Sequence, residues 1–229
     1  MSGAEPIPII GGTGALGFGL ALRFAAAGQE VLIGSRDDGR AKEAAARIRD
    51  RVPDAAASGL GNADAAVAGP VVFLTVPFRA QSENLTNLRA VLREGQILVD
   101  ATAPLAAAVS GKATRLLGVP QGSAAEQAQE MAPDGVTVVS ALHTVSAADL
   151  ADLGVALDED VPMAGDSKDA KRRVAELLSL VPGLRPIDAG RLEMARMIEG
   201  LTPLLISINA RHKVHAGVKI TGLPDQPWG

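Results

Sequence analysis

The sequence contains no cysteine and no tyrosine among its 229 residues. Without cysteine, the chain can form no disulfide, use no thiolate nucleophile and offer no thiolate to a metal ion. Without tyrosine, it cannot use the Tyr-x-x-x-Lys catalysis with which short-chain dehydrogenases act on alcohols. These two common routes of enzymatic catalysis are therefore excluded.

Aromatic residues and positive charge are also scarce. Aromatic residues make up 2% of the chain and the formal net charge is −4, so the sequence lacks the stacking platforms and basic surface that nucleic-acid binding requires. It also lacks an apolar run approaching the roughly 20 residues that a transmembrane helix needs. We therefore expect no nucleic-acid or membrane partner. The polar first residues show no signal peptide, which predicts a cytoplasmic location.

The chain is instead rich in apolar residues and contains 25 glycines. Residues 8–17 are typical of a short strand, a glycine turn and the start of a helix. Gly12, Gly14 and Gly17 fit the G-x-G-x-x-G spacing, in which the first glycine allows the turn, the second admits a pyrophosphate and the third lets helix and strand pack closely. The free N–H groups at the helix N-terminus favour phosphate binding. The pattern predicts a dinucleotide-binding βαβ unit.

Strands and helices alternate along the chain, which predicts a doubly wound parallel α/β sheet of the Rossmann type. In such sheets ligands bind outside the carboxyl ends of the strands. That rule selects residues 13–17, 35–36, 76–77, 101–104 and 143–146.

Several segments are less regular. Residues 55–68 are ambiguous but are compatible with a short strand near 57–60 and a helix around 62–67, and we expect a loop over 106–121. Ser123 and Glu126 have the spacing of a capping box at a helix start. The apolar helix predicted over 191–210 has no charged residue after Glu199 and must be buried in the protein or against a second subunit. A short strand is possible over 218–221.

The end of the second strand indicates which nucleotide binds. An NAD site usually has Asp or Glu there, to accept a hydrogen bond from the ribose 2′-hydroxyl. This chain has Ser35 and Arg36, with Arg40 one turn later, and these groups suit a 2′-phosphate. Asp37 and Asp38 would repel that phosphate if they faced inward. The pattern favours NADP over NAD.

The histidines are the candidates for proton transfer, which a carbonyl reduction requires beside the hydride. His143 follows a strand, and it could act as a donor or could simply pack in the cleft. His212 and His215 lie in a basic patch of the tail that could bind an anion or face solvent, together with Arg211, Lys213 and Lys219. Because cysteine is absent and the histidines lie on separate elements, we expect no metal site.

Six segments carry a family resemblance: residues 11–17, 34–36, 74–78, 143–147, 188–190 and 201–205. Together they resemble the NADP-dependent reductases of the deazaflavin coenzyme F420, over nearly the whole chain. The resemblance implies reversible hydride transfer between NADPH and the deazaflavin. It also implies an NADP-binding Rossmann domain over 1–145, a smaller C-terminal α/β domain over 146–229, and a homodimer.

The resemblance also assigns cofactor-binding residues by position. The diphosphate and 2′-phosphate are assigned to Thr13, Gly14, Ala15, Leu16, Ser35, Arg36 and Arg40, together with the motif glycines Gly12 and Gly17. The nicotinamide is assigned to Val76, Pro77, Ala103 and Ala147, and the deazaflavin to His143, Pro203 and Ser207. No catalytic acid is implied, since two hydride carriers need only be stacked at transfer distance and shielded from water. Residues 211–219 are a hypothetical site for the acidic tail of the deazaflavin.

Two other functions remain open. An NADP-dependent imine or carbonyl reductase would use the same Rossmann unit, with His143 as the proton donor. A non-catalytic NADP-sensing protein would equally lack a catalytic acid.

Overall fold

The computed structural model describes residues 5–224 and Trp228. The elements that build the main sheet come first along the chain. They are β1 (Ile7–Ile10), α1 (Ala15–Ala26), β2 (Val31–Ser35), α2 (Asp38–Arg51), β3 (Ala57–Gly61), α3 (Asn62–Ala66), β4 (Val71–Leu74), α4 (Phe78–Leu88), β5 (Ile97–Asp100), α5 (Ala124–Met131) and β6 (Thr137–Ser140).

The elements that follow form a smaller unit. They are α6 (Ala147–Ala151), β7 (Glu159–Met163), α7 (Lys168–Leu178), β8 (Leu184–Asp188) and α8 (Ala195–His212). Two short 3₁₀ helices complete the described part, at Ala106–Val109 and Leu192–Met194. None of the helices described here is long and apolar enough to cross a membrane.

The main sheet is parallel, with strand order β3-β2-β1-β4-β5-β6. The strands β1, β2 and β4 are buried along their whole length, because helices cover both faces of the sheet. The chain winds outward from β1 in one direction and then from β4 in the other, which places the topological switch point between these two strands. The predicted doubly wound fold is confirmed.

The small C-terminal α/β portion is also confirmed, as a separate two-stranded parallel sheet of β7 and β8. An antiparallel bridge joins it to β6, with N–H···O distances of 2.8 and 3.1 Å between Ser140 and Ala164. Apolar side chains of both sheets, including Ile9 on β1 and Val161 on β7, belong to one buried cluster.

Close packing of α1 on α6 ties the smaller unit to the Rossmann sheet. A Cβ at Gly19 would lie 2.7 Å from the Cβ of Leu150, so the two helices can touch only because Gly19 has no side chain. The buried Arg23 donates hydrogen bonds of 2.6 Å to the carbonyls of both Asp149 and Asp152. These bonds add side-chain donors to carbonyl groups at the end of α6, which also accept from the backbone N–H groups of Asp152 and Val155.

The irregular segments follow the predictions in part. The strand near 57–60, the helix over 62–67 and the Ser123 cap are present, and Ser123 Oγ accepts a 3.0 Å hydrogen bond from the N–H of Glu126. The apolar helix begins with a 3₁₀ turn and extends to His212. The strand suggested over 218–221 was wrong: Val218 accepts one backbone bond of 2.7 Å from Asp160, but the N–H of Ile220 donates to the carboxylate of Asp160 and the backbone ladder does not continue.

Candidate functional site

The glycine loop brings the start of α1 against the end of β4. Gly11 has a left-handed backbone with φ of +80°. A Cβ at Gly17 would lie 2.8 Å from the carbonyl oxygen of Gly11 and would collide with Oγ1 of Thr75. The N-cap residue of α1, Gly14, provides no side-chain cap, so the first N–H groups of the helix remain available to phosphate oxygens.

A cavity of about 270 Å³ opens beside this loop, at the carboxyl ends of β1, β2 and β4. Seven of the predicted residues line it: Thr13, Gly14, Ser35, Arg36, Arg40, Val76 and Pro77. Four more belong to the same loop and first helical turn: Gly12, Ala15, Leu16 and Gly17. The sequence prediction missed six further lining residues: Gly11, Asp37, Asn62, Thr75, Ala80 and Asn84.

The end of β2 supplies the charged side of the cavity. Asp37 lines the cavity, but it caps α2, and its Oδ1 accepts a 3.1 Å hydrogen bond from the N–H of Arg40. The side chain of Arg36 is 67% exposed, and its Nη1 lies 3.3 Å from Oε2 of Glu83 on α4. Two guanidinium groups therefore border the cavity, where a 2′-phosphate would find planar and charged donors.

A pair of asparagines forms the opposite wall. The carbonyl of Ala80 can only accept, so the amide nitrogen of Asn84 must face it, at 2.7 Å. The Asn84 oxygen then accepts from Asn62 Nδ2 at 2.9 Å. Asn62 follows a strand whose prediction was ambiguous, and Asn84 lies within a helix, so the sequence contained no signal for either.

His143 lies beyond β6, against the segment that follows β5. Its Nε2 is 3.0 Å from the carbonyl oxygen of Thr102. Because a carbonyl only accepts, Nε2 carries the proton, and Nδ1 is unprotonated in the neutral ring. Nδ1 is buried and has no hydrogen-bond partner in the part of the chain that the structure describes. Burial lowers the pKa of His143 to about 4, although the bond to Thr102 opposes this shift.

A buried polar cluster supports this segment. The carboxylate of Asp100, at the end of β5, accepts hydrogen bonds from Thr102 Oγ1 at 2.7 Å and from Gln81 Nε2 at 3.0 Å. Burial raises the pKa of Asp100 to about 6, because desolvation outweighs these hydrogen bonds. The cluster fixes the loop that leaves β5 toward Ala103.

Helix α8 approaches the same place from the smaller unit. Thr202 Oγ1 donates a 2.8 Å hydrogen bond to the carbonyl oxygen of His143. Pro203 is buried beside it and Ser207 is half-buried one turn later. The residues that the resemblance assigns to the deazaflavin therefore lie on two segments that are in direct contact, the end of β6 and the middle of α8.

Five predicted residues do not line the cavity at the glycine loop: Ala103, His143, Ala147, Pro203 and Ser207. Ala103 and Ala147 are half-buried, at the exit from β5 and at the start of α6. The cofactor-binding roles of all five residues stay predictions.

The basic patch of the tail is partly neutralised by carboxylates. Nδ1 of His215 lies 2.6 Å from Oδ1 of Asp149, and Lys219 pairs with Asp158. Arg211, His212 and Lys213 are exposed at the end of α8. Over residues 5–224 and Trp228, no group of three or more His, Asp or Glu side chains is arranged to hold a metal ion.

Comparison with known proteins gives a consistent result. A family model described as "NADP oxidoreductase coenzyme F420-dependent" matches residues 6–104. The chain is 43% identical over 224 residues to the F420-dependent NADP reductase of Methanothermobacter thermautotrophicus, covering 96% of each chain. It is 41% identical over 222 residues to the reductase of the same name from Methanocaldococcus jannaschii, covering 95% of this chain and 98% of that one.

A solved structure from Arthrobacter sp. FB24, provisionally assigned as an F420-dependent NADP-reductase, has the same fold. The TM-score is 0.75 at 28% identity, covering 96% of this chain and all of the other.

Proposed function

The chain belongs to the F420-dependent NADP reductase family, and we propose that it is an oxidoreductase that transfers a hydride reversibly between NADPH and coenzyme F420. Identity of 41–43% over nearly the full length to reductases of that name carries the proposal. The cavity at the glycine loop supports it, because it combines an uncapped helix N-terminus with two arginines.

The residues around this cavity fit NADP. Gly17 leaves no space for a side chain between α1 and β4, which is the close helix–strand packing that the third glycine of a dinucleotide-binding motif provides. Residues 13–16 would hold the diphosphate through backbone N–H groups. Ser35, Arg36 and Arg40 would hold the 2′-phosphate through a hydroxyl and two guanidinium groups.

NADPH, when bound, supplies the hydride that the deazaflavin accepts. The chain therefore has to bind and orient two rings and keep water away from them. We assign the nicotinamide contact to Val76, Ala103 and Ala147, with Pro77 beside them. We assign the deazaflavin contact to His143, Pro203 and Ser207.

His143 argues against the imine or carbonyl reductase. That enzyme would need His143 to give up a proton, but its Nε2–H is already bonded to Thr102 and its Nδ1 carries no proton. With a pKa lowered to about 4 by burial, the ring stays neutral at the pH of most cells. A hydride exchange between two carriers does not require that proton.

Absorbance of oxidised F420, mixed with enzyme and NADPH or NADH, tests the proposal. We expect NADPH to bleach the deazaflavin band and NADH to bleach it little. Bleaching with both nucleotides would keep the reaction but contradict the assignment of the 2′-phosphate to Ser35 and Arg36. No bleaching with either would contradict the reductase; turnover of an imine would then establish the first alternative. Tight NADP binding without turnover would establish the NADP-sensing protein.

We also propose that the protein is a homodimer joined through α8. Met197 and Leu204 are 60% and 53% exposed, and they share one side of the helix with the half-buried Leu201 and Ile208. The spacing of four, three and four residues forms the narrow apolar seam with which helices pair. An exposed apolar seam of this kind is typical of an interface.

Sedimentation velocity tests the dimer. Leu204→Glu should yield a monomer, whereas Val109→Glu, at another exposed apolar position, should leave the dimer intact. A monomeric wild type would contradict the proposal.

We assign residues 1–145 to NADP binding and residues 146–229 to the deazaflavin and dimer contacts. The cytoplasmic location stays a prediction from the sequence, which cell fractionation would test.

A further inference from the structure

A ring made of hydrogen bonds and short stretches of backbone connects the two sides of the proposed site. One arc of it crosses from β5 to α8. Nε2–H of His143 donates to the carbonyl of Thr102 at 3.0 Å, and Thr202 Oγ1–H donates to the carbonyl of His143 at 2.8 Å. The end of β5, the end of β6 and the middle of α8 are therefore joined through one histidine.

The other arc returns through α5 and α4. The two carboxyl oxygens of Glu199, one turn before Thr202 on α8, accept from the N–H groups of Ala124 and Ala125 at 3.0 and 3.1 Å. The carbonyl of Ala124 in turn accepts from Gln81 Nε2 at 2.9 Å. The same nitrogen shares its two protons among three acceptors, since it also lies 2.6 Å from Thr102 Oγ1 and 3.0 Å from Asp100 Oδ2, and the contact with Thr102 closes the ring. We call this set the polar ring: Gln81, Thr102, Ala124, His143, Glu199 and Thr202.

The polar ring is buried except at Thr202, which is half-buried. Glu199 and Thr102 are each 1% exposed and Gln81 is fully buried. Placing a carboxyl group there is unfavourable, and apolar side chains could hold the same helices together without that penalty. Directional bonds add something that apolar packing does not provide, namely a single defined position of α8 relative to α5 and β5.

We propose that Glu199 is a positioning residue for hydride transfer, which through the polar ring sets the distance between α8 and the end of β5. This inference rests on the proposed function, in which Pro203 and Ser207 on α8 contact the deazaflavin and Ala103 after β5 contacts the nicotinamide. Hydride transfer is steeply sensitive to the separation of donor and acceptor carbons. A displacement of about 1 Å can slow such a step about a hundredfold.

Three variants test the role of Glu199. Glu199→Ala removes both acceptors from the start of α5. Glu199→Gln is milder, because it keeps one carbonyl oxygen at nearly the same position. Glu193→Gln makes the same chemical change at an exposed position on the segment that leads into α8, and it serves as the matched control.

The first measurement is single-turnover bleaching of F420 by NADPH and by NADPH deuterated at nicotinamide C4. We expect Glu199→Ala to slow transfer about ten- to a hundredfold, Glu199→Gln to slow it less, and neither to change the Kd for NADPH. The primary isotope effect should become more temperature-dependent in both variants. Wild-type rates and isotope effects in Glu199→Ala, or a loss confined to NADPH binding, would overturn the proposal.

The second measurement does not use the reaction. The exchange rate of the His143 Nε2–H proton, followed by NMR in the protein without nucleotide, reports on the polar ring at a residue whose Nε2 is bonded to Thr102 and not to Glu199. Glu199→Gln should accelerate that exchange and Glu193→Gln should not. Equal exchange rates in the wild type, Glu199→Gln and Glu193→Gln would overturn the proposed role of the polar ring, even if the wild type reduces F420. Failure of the wild type to bleach F420 would contradict the proposed function but leave this result intact.

Discussion

Glu199 should also make the stability of the protein fall as the pH rises, and Glu199→Gln should remove much of that fall. Burial raises the pKa of this carboxyl from 4.5 to about 8, more than its two backbone hydrogen bonds lower it, and Asp100 and Glu126 add to the rise. The folded state therefore keeps a proton that the unfolded chain releases. Its stabilising contribution is complete below pH 4.5 and is lost as the pH rises through 8.

The size of the effect follows from the two pKa values. Between pH 6 and pH 8, this one group should lower the free energy of unfolding by about 2 kcal/mol. Glutamine does not titrate, so the variant should lack that part of the slope. Asp100 and Glu159, with pKa values raised by burial to about 6 and 7, change stability in the same direction and remain in the variant.

Urea denaturation at pH 6 and pH 8, at one protein concentration, measures the difference. Wild type should lose about 2 kcal/mol more than Glu199→Gln over this interval, whatever the absolute stability of the variant. Glu193→Gln, at an exposed position, should keep the wild-type slope. Equal slopes in wild type and Glu199→Gln would refute the assignment of a raised pKa to this buried carboxyl.

Three further predictions concern the nucleotide and the tail. Gly17→Ala should abolish measurable NADPH binding in calorimetry, because the new Cβ would lie 2.8 Å from the Gly11 carbonyl oxygen and force α1 away from the loop. Retained affinity for NADPH would contradict the need for close packing of α1 on the glycine loop. Arg36→Ala should raise the KM for NADPH about tenfold and leave that for NADH unchanged; an equal rise for both would exclude a 2′-phosphate contact. The double reversal Arg211→Glu and Lys213→Glu should raise the KM for F420 alone, and unchanged values would end the hypothesis that this patch binds the acidic tail.

The local features of the cofactor cavity could be predicted from sequence because short segments encode them. The strand, glycine turn and helix of residues 8–17 depend on neighbouring residues, and the position of Arg36 follows from being just after β2. The strand-end rule therefore selected six of the residues that line the cavity, and Arg40 was added because it lies one helical turn after Arg36. Asn62 and Asn84 could not be found in this way, since their pairing brings together residues 22 positions apart.

In the C-terminal part, sequence patterns did not predict how the segments pack. The apolar composition of residues 191–210 predicted the existence of α8 but not which of its sides would be covered. The tail over 218–221 has an apolar, β-branched character, yet the carboxylate of Asp160 binds its backbone, as well as the side chain of Arg185 at 2.7 and 2.8 Å. Whether the N–H of Ile220 bonds to a side chain or to a neighbouring strand depends on the position of β7, which carries Asp160.

By itself, the sequence determined the fold class and the family resemblance and predicted a preference for a nucleotide with a 2′-phosphate, because glycine spacing, strand-end residues and hydrophobic periodicity act over a few positions of the chain. Tertiary structure alone decided that His143 is buried and neutral, that Arg23 and Gly19 dock α6 on α1, and that Glu199 caps a helix 75 residues away. These features depend on desolvation and on hydrogen bonds between distant segments, and both quantities exist only after the chain has folded.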